Sequence, residues 1–189
     1  MSSHRPQLSD VPSTDHMHRS QARLITARPD HLAAARTTFP AEARDPAELL
    51  SRETFDLLVE DLRRGHHVTR GYAERMLGQA LVFLKAQANI ARARAAGRPW
   101  VRIVPTVPVD PAWHAFMLRS QPYADFCAEH AGAFLHHVPF QDEAVLSGDA
   151  LEATIPELQK TGYMVDLEFW HGERSPCCPP ECASPESTW

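Results

Sequence analysis

Lysine is almost missing from this 189-residue chain, standing only at Lys85 and Lys160, and arginine supplies the rest of the positive charge. That bias points to a high-GC genome more than to a mechanism. A net charge of −5 and a pI near 6.1 leave no basic footprint for a nucleic-acid backbone, so no nucleic-acid partner is expected. Glycine is scarce as well, 8 in all, and none is arranged as a phosphate-cradling loop. No apolar stretch approaches the roughly 20 residues of a membrane span. The first residues, Met1 to Gln21, are polar and carry no secretory signal, so the expected compartment is the cytoplasm, with no membrane partner. Cysteine is limited to 4 residues: Cys127 in the middle, and Cys177, Cys178 and Cys182 near the end. In an intracellular chain the terminal CCxxxC cluster reads as redox-active or metal-binding thiols rather than a disulfide framework. Its spacing matches neither a zinc ribbon nor a zinc finger.

What the chain does have is concentrated in residues 109–139, VDPAWHAFMLRSQPYADFCAEHAGAFLHHVP. Asp110 reads as an N-cap, with Pro111 at the first helical position where its missing N–H is harmless. Trp113, Phe116 and Met117 recur on one helical face, and Ser120, Gln121 and Pro122 read as a stop and a fresh start. A second helix carries Tyr123, Phe126, Cys127 and His130, and Gly132 is placed to supply a left-handed C-terminal cap. Folding the two helices back about Ser120 sets His114 opposite Phe126 and Cys127. Each helix is only roughly 13 to 17 Å long at 1.5 Å per residue, so the chain leaving Gly132 brings His136 or His137 back towards His114. The expected constellation is His114, Cys127, His130 and one of His136 and His137, a mixed sulfur and nitrogen set suited to zinc or iron. A core reading stands beside it. Cysteine and aromatics at helical spacing are commonly packed interior, and His130 suits the carbonyl end of its helix.

VDPAWH, then Tyr123, Phe126 and Cys127, then Gly132, Phe134, His136, His137 and Pro139, resemble the central motif of the glycine-rich domain-containing protein-like family. The resemblance spans about residues 50 to 170 and is to bacterial members that lack the glycine-rich region. It implies a helical domain and no particular reaction.

Along the rest of the chain the expected class is mainly α, a compact helical bundle of about five helices with extended connectors and disordered terminal tails. The expected division is a polar tail over 1–28, one helical domain over 29–171 and a Cys/Pro/Ser tail over 172–189. The 16 prolines support such tails. A DHMH run at Asp15 to His18 offers spaced imidazoles, and Asp30 suits the cap of a short helix that Pro40 stops. Asp45, Pro46 and Glu48 form a capping-box-like start and Ser51 a second one; the helix they open ends at Gly65, leaving His66 and His67 in a turn. Thr69 caps the longest helix, about 70–96, whose buried stripe runs from Tyr72 through Met76, Leu77, Ala80, Leu81 and Leu84 to Ala91, and which ends at Gly97. Residues 100–109, interrupted by Pro105 and Pro108, read as an extended connector or edge strand that delivers Asp110. A helix over about 150–160 contains Pro156, which must kink or divide it, and Gly162 closes it. Asp166 caps a last turn that docks Phe169 and Trp170, with His171 as an extra candidate ligand. The tail thiols either remain free or fold over to join His114 and Cys127.

Two function classes follow. The favoured one is a helical module that binds a protein partner or a metal, with Asp110, Trp113, Tyr123 and Gly132 organising the motif. The alternative is a metal-dependent enzyme in which His/Cys-bound zinc or iron activates water or a thiol, with Asp110 or Glu129 as proton acceptor. No acid/base pair, nucleophile elbow or cofactor loop accompanies the cluster.

Overall fold

A computed structural model describes residues 43–137 and 149–171. The DHMH run, the Asp30 segment, Pro139, the acidic loop that follows it and the tail with Cys177, Cys178 and Cys182 lie outside the described residues. The chain divides between Ala34 and Ala35, and everything described belongs to the second part. Its class is mainly α, as expected. A 3-10 turn (Pro46–Leu49) is followed by α1 (Arg52–His66), α2 (Arg70–Ala95), α3 (Asp110–Leu118), α4 (Ser120–His130), α5 (Asp149–Gln159) and a second 3-10 turn (Leu167–Phe169). Among the described residues there is no strand, and a parallel bridge pairs Arg44 with Tyr163. None of the described helices is long and apolar enough to cross a membrane.

The core is built around α2. Every residue from Met76 to Leu84 is buried, so this helix is enclosed rather than striped. The first 3-10 turn and α1, α3, α4 and α5 all pack against it. Thr69 caps it by accepting the Tyr72 N–H, and Ser51 does the same for α1 through the Thr54 N–H. The Asp45 start opens only the 3-10 turn, with its carboxylate accepting from Ala47 N at 2.9 Å.

Two expected boundaries move. Gly65 does not end α1; it is carried inside the last turn, and His67 takes the left-handed conformation (φ 54°) that closes the helix on the Arg63 carbonyl. A polar residue tolerates that conformation at modest cost. Pro156 lies inside α5 without dividing it, since the helix runs on to Gln159.

Residues 100–105 form no helix or strand, and side-chain hydroxyls tie the connector down at Val104 and Thr106. The Thr154 hydroxyl engages both the N–H and the carbonyl of Val104 (3.1 and 3.3 Å), and Thr106 donates its hydroxyl to the Phe169 carbonyl at 2.6 Å. The Thr106 carbonyl then accepts the N–H groups of Val109 and Asp110, starting α3. This fixes where Asp110 sits. At the other end of α3, Arg119 breaks the helix (ψ 67°), and its guanidinium makes two 2.8 Å bonds to Asp61. A bidentate pair of this kind fixes direction as well as distance, so the hairpin turn is tied to α1.

Candidate metal centre

Residues 110–118 form one short helix, so Asp110 and His114, four apart, project from the same face. Val109 occupies the cap position expected for Asp110, which instead falls in the first turn and turns its carboxylate towards two imidazoles. His137 arrives from the extended stretch after Gly132. Its Nε2 lies 3.1 Å from Asp110 Oδ1 and 3.1 Å from His114 Nε2, and His114 Nε2 lies 3.6 Å from Asp110 Oδ2. Asp110, His114 and His137 form a group whose ligand atoms all lie within 4.8 Å of one another.

These separations carry chemical meaning. Ligands 2.0 to 2.2 Å from a tetrahedral ion stand roughly 3.3 Å apart, so the three donors are spaced as the edge atoms of a coordination sphere. The His137 Nε2 faces a carboxylate oxygen and a second ring nitrogen together, and a neutral imidazole nitrogen carries at most one proton to share between them. A cation at their common point would engage a lone pair from each of the three. Access is one-sided: the Asp110 and His137 side chains are 9% and 10% exposed, whereas that of His114 is 47% exposed.

The aromatic neighbours explain why the rings hold these positions. His137 lies against the Trp113 ring with centroids 4.0 Å apart, and Trp113 Nε1 donates to the Tyr123 hydroxyl at 3.0 Å. Phe116 packs edge-on to both Tyr123 and Phe126. Trp113 and Phe116 therefore face α4, and His114, rotated about 100° from Trp113 along the helix, turns away from it.

That rotation redistributes the expected ligand set. His114 and His137 come together, but Asp110 completes the group in place of Cys127, His130 or His136. Cys127 is buried with a free thiol, and its Sγ accepts the Leu135 N–H at 3.4 Å. His136 is exposed and rests against Phe134, because successive residues of an extended segment point to opposite sides. His130 packs edge-on against Phe126 with centroids 4.5 Å apart. Gly132 adopts the left-handed cap (φ 76°), and its N–H bonds the Cys127 carbonyl at 3.0 Å. Glu129, the other expected proton acceptor, is exposed and lies beside His130. His171 is exposed, and its backbone N–H bonds the Leu167 carbonyl.

His130 contributes to stability in a pH-dependent way. Burial, reinforced by Lys85 and Arg92 and opposed by Glu129 and a backbone hydrogen bond with Leu49, holds its imidazole below the ordinary value of 6.5. The unfolded chain therefore takes up a proton first as pH falls, so this stability is complete above about pH 6.5 and is lost as pH drops through the folded value. Urea midpoints are expected to fall between pH 7.5 and 5, and less so in His130→Gln. Equal falls in the two proteins would remove His130 from the account.

A separate open cleft of about 550 Å³ is lined by the first 3-10 turn, α1, α2, Met164 and Asp166. None of Asp110, His114 and His137 lines it, and its Asp56 and Asp166 carboxylates are already paired with Arg52 and Arg75.

In comparisons with known proteins, the family described as UCP032817-like matches residues 50–152, more than half of the chain. The match contains α1 to α4 and all three donors. No curated protein and no solved structure matches.

Proposed function

The chain belongs to the UCP032817-like family, and we propose that it is a metal-binding helical domain holding one zinc or ferrous ion between Asp110, His114 and His137. The convergence of two imidazole nitrogens and a carboxylate at 3.1 to 3.6 Å carries this reading. Imidazole and carboxylate together suit both ions.

A metal-dependent enzyme is the second reading, favoured by the exposure of His114. Three protein ligands and one accessible side are the arrangement of catalytic zinc sites and of two-histidine, one-carboxylate iron sites, which keep positions open for water or substrate. A protein-interaction role is the companion reading, supported by Leu118 and Phe134, which are 86% and 48% exposed on the same motif. Kinship of that motif with the glycine-rich domain-containing protein-like family belongs to the same proposal.

The test is metal content. Tag-free protein equilibrated with zinc and then dialysed is expected to retain about one ion per chain, as three protein donors and water complete a tetrahedral site. Metal-free protein after equilibration with micromolar zinc or ferrous iron would overturn the reading.

A further inference from the structure

Residues 133–137 form no helix or strand, yet they deliver the third donor of the metal group. Their register must be held from outside, and the hydrogen bonds identify what holds it. Tyr123 donates its hydroxyl to the Leu135 carbonyl at 2.6 Å, while the Leu135 N–H donates to Cys127 Sγ at 3.4 Å. Tyr123 and Cys127 are four residues apart on α4, so one helix face grips both backbone groups of one residue. Alternation along the extended chain does the rest. With Leu135 turned towards α4, His136 points outward and His137 points back into the fold.

The frame closes on itself. The Tyr123 hydroxyl that fixes Leu135 also accepts the Trp113 Nε1–H, and the Trp113 ring is the surface on which His137 rests. One phenol thus sets both the chain that carries His137 and the wall behind it. Burial pushes the Tyr123 phenol well above its ordinary value, which keeps the hydroxyl protonated as the donor that Leu135 requires.

We infer that Tyr123 and Cys127 are positioning residues for His137, tuning the metal site through Leu135 without contacting the ion. This rests on the metal-binding reading above. Outer groups that orient a ligand typically alter metal affinity by about 10- to 100-fold, and that is the effect expected here.

Three variants separate positioning from general packing. Tyr123→Phe removes only the hydroxyl; Cys127→Ala removes the acceptor of the Leu135 N–H; Cys127→Ser keeps an acceptor. Zinc affinity is read by competition with a chromophoric chelator, at a temperature where circular dichroism shows parental helix content. Tyr123→Phe and Cys127→Ala are expected to bind about 10- to 100-fold more weakly. Cys127→Ser should recover most of the loss, and the visible spectrum of bound cobalt should change in the two weak variants only. Parental affinity in Tyr123→Phe and Cys127→Ala would overturn the inference, as would Cys127→Ser binding no better than Cys127→Ala. Proton NMR of the metal-free proteins supplies an independent readout: cross-relaxation between the His137 and Trp113 rings should be strong in the parent and weakened in Tyr123→Phe. A parent that binds no metal but shows this NMR difference would sink the metal reading and leave the positioning role standing. Unchanged cross-relaxation in Tyr123→Phe would sink the positioning role itself.

Discussion

Alanine at His137 is expected to weaken zinc binding by roughly a thousandfold, more than the 10- to 100-fold typical of losing an outer group, while leaving the helices in place. Among the described residues three protein donors converge, so losing one leaves an aspartate and a half-exposed histidine, a poor site for any ion. His114→Ala should have a similar effect on zinc, and comparing the two separates ligation from packing. The His137 ring is nearly buried against Trp113, so its removal leaves a hollow and a modest loss of stability. His114 is half exposed, and its removal should scarcely alter the unfolding midpoint. Cys127→Ser serves as the contrast: a buried thiol outside the donor group should be replaceable with zinc largely retained. Calorimetric titrations of all four proteins check these expectations together. Parental zinc affinity in both His114→Ala and His137→Ala would end the case for this site.

The sequence was informative at several helix ends, where the physics is local. Ser51, Thr69, Gly132 and Gly162 act at helix ends because a hydroxyl acceptor or a glycine free to take positive φ is needed at a single position, whatever packs nearby. The restart read at Ser120, Gln121 and Pro122 is present too, although α4 begins at Ser120 with no side-chain cap. Choosing among the donors is not local. Asp110 looks like a cap because aspartate before proline usually is one, and only the Thr106 carbonyl, accepting from both Val109 and Asp110, starts the helix early enough to free the carboxylate for His137. Spacing offered one clue: Asp110 and His114 at i and i+4 on a short helix share a face. Between His136 and His137 no local rule decides, since the choice depends on which way α4 turns Leu135. The burial of α2 from Met76 to Leu84 was legible only in part. Its pattern reads as a stripe, and enclosure follows from four helices and a 3-10 turn packing around it.

Within that enclosed run stands one polar residue, and its replacement by leucine is expected to cost about 2 to 6 kcal/mol, at roughly 1 to 3 for each of the two buried donors left unpaired, the Asp166 N–H and the Trp170 Nε1–H. Gln79 Nε2 donates to the Met164 carbonyl at 3.2 Å, and its Oε1 accepts both the Asp166 N–H at 3.0 Å and the Trp170 Nε1–H at 2.9 Å. An amide side chain donates through one atom and accepts through another, so all three bonds are met and the core helix tolerates it. Leucine is of similar size, so the loss would come from unmet hydrogen bonds rather than from a cavity. Against a usual total of about 5 to 15 kcal/mol, that is a severe change. The damage should also travel. Asp166 pairs with Arg75 and caps the 3-10 turn that positions Phe169, whose carbonyl receives the Thr106 hydroxyl, and Thr106 starts the helix bearing Asp110. Gln79→Leu should therefore loosen the C-terminal aromatic turn first, seen as a red shift of tryptophan emission and a lower urea midpoint, and weaken zinc binding second. Equal midpoints for Gln79→Leu and the parent would mean that the C-terminal turn is held by its apolar contacts alone, and that the path from the core helix to Asp110 does not run through this amide.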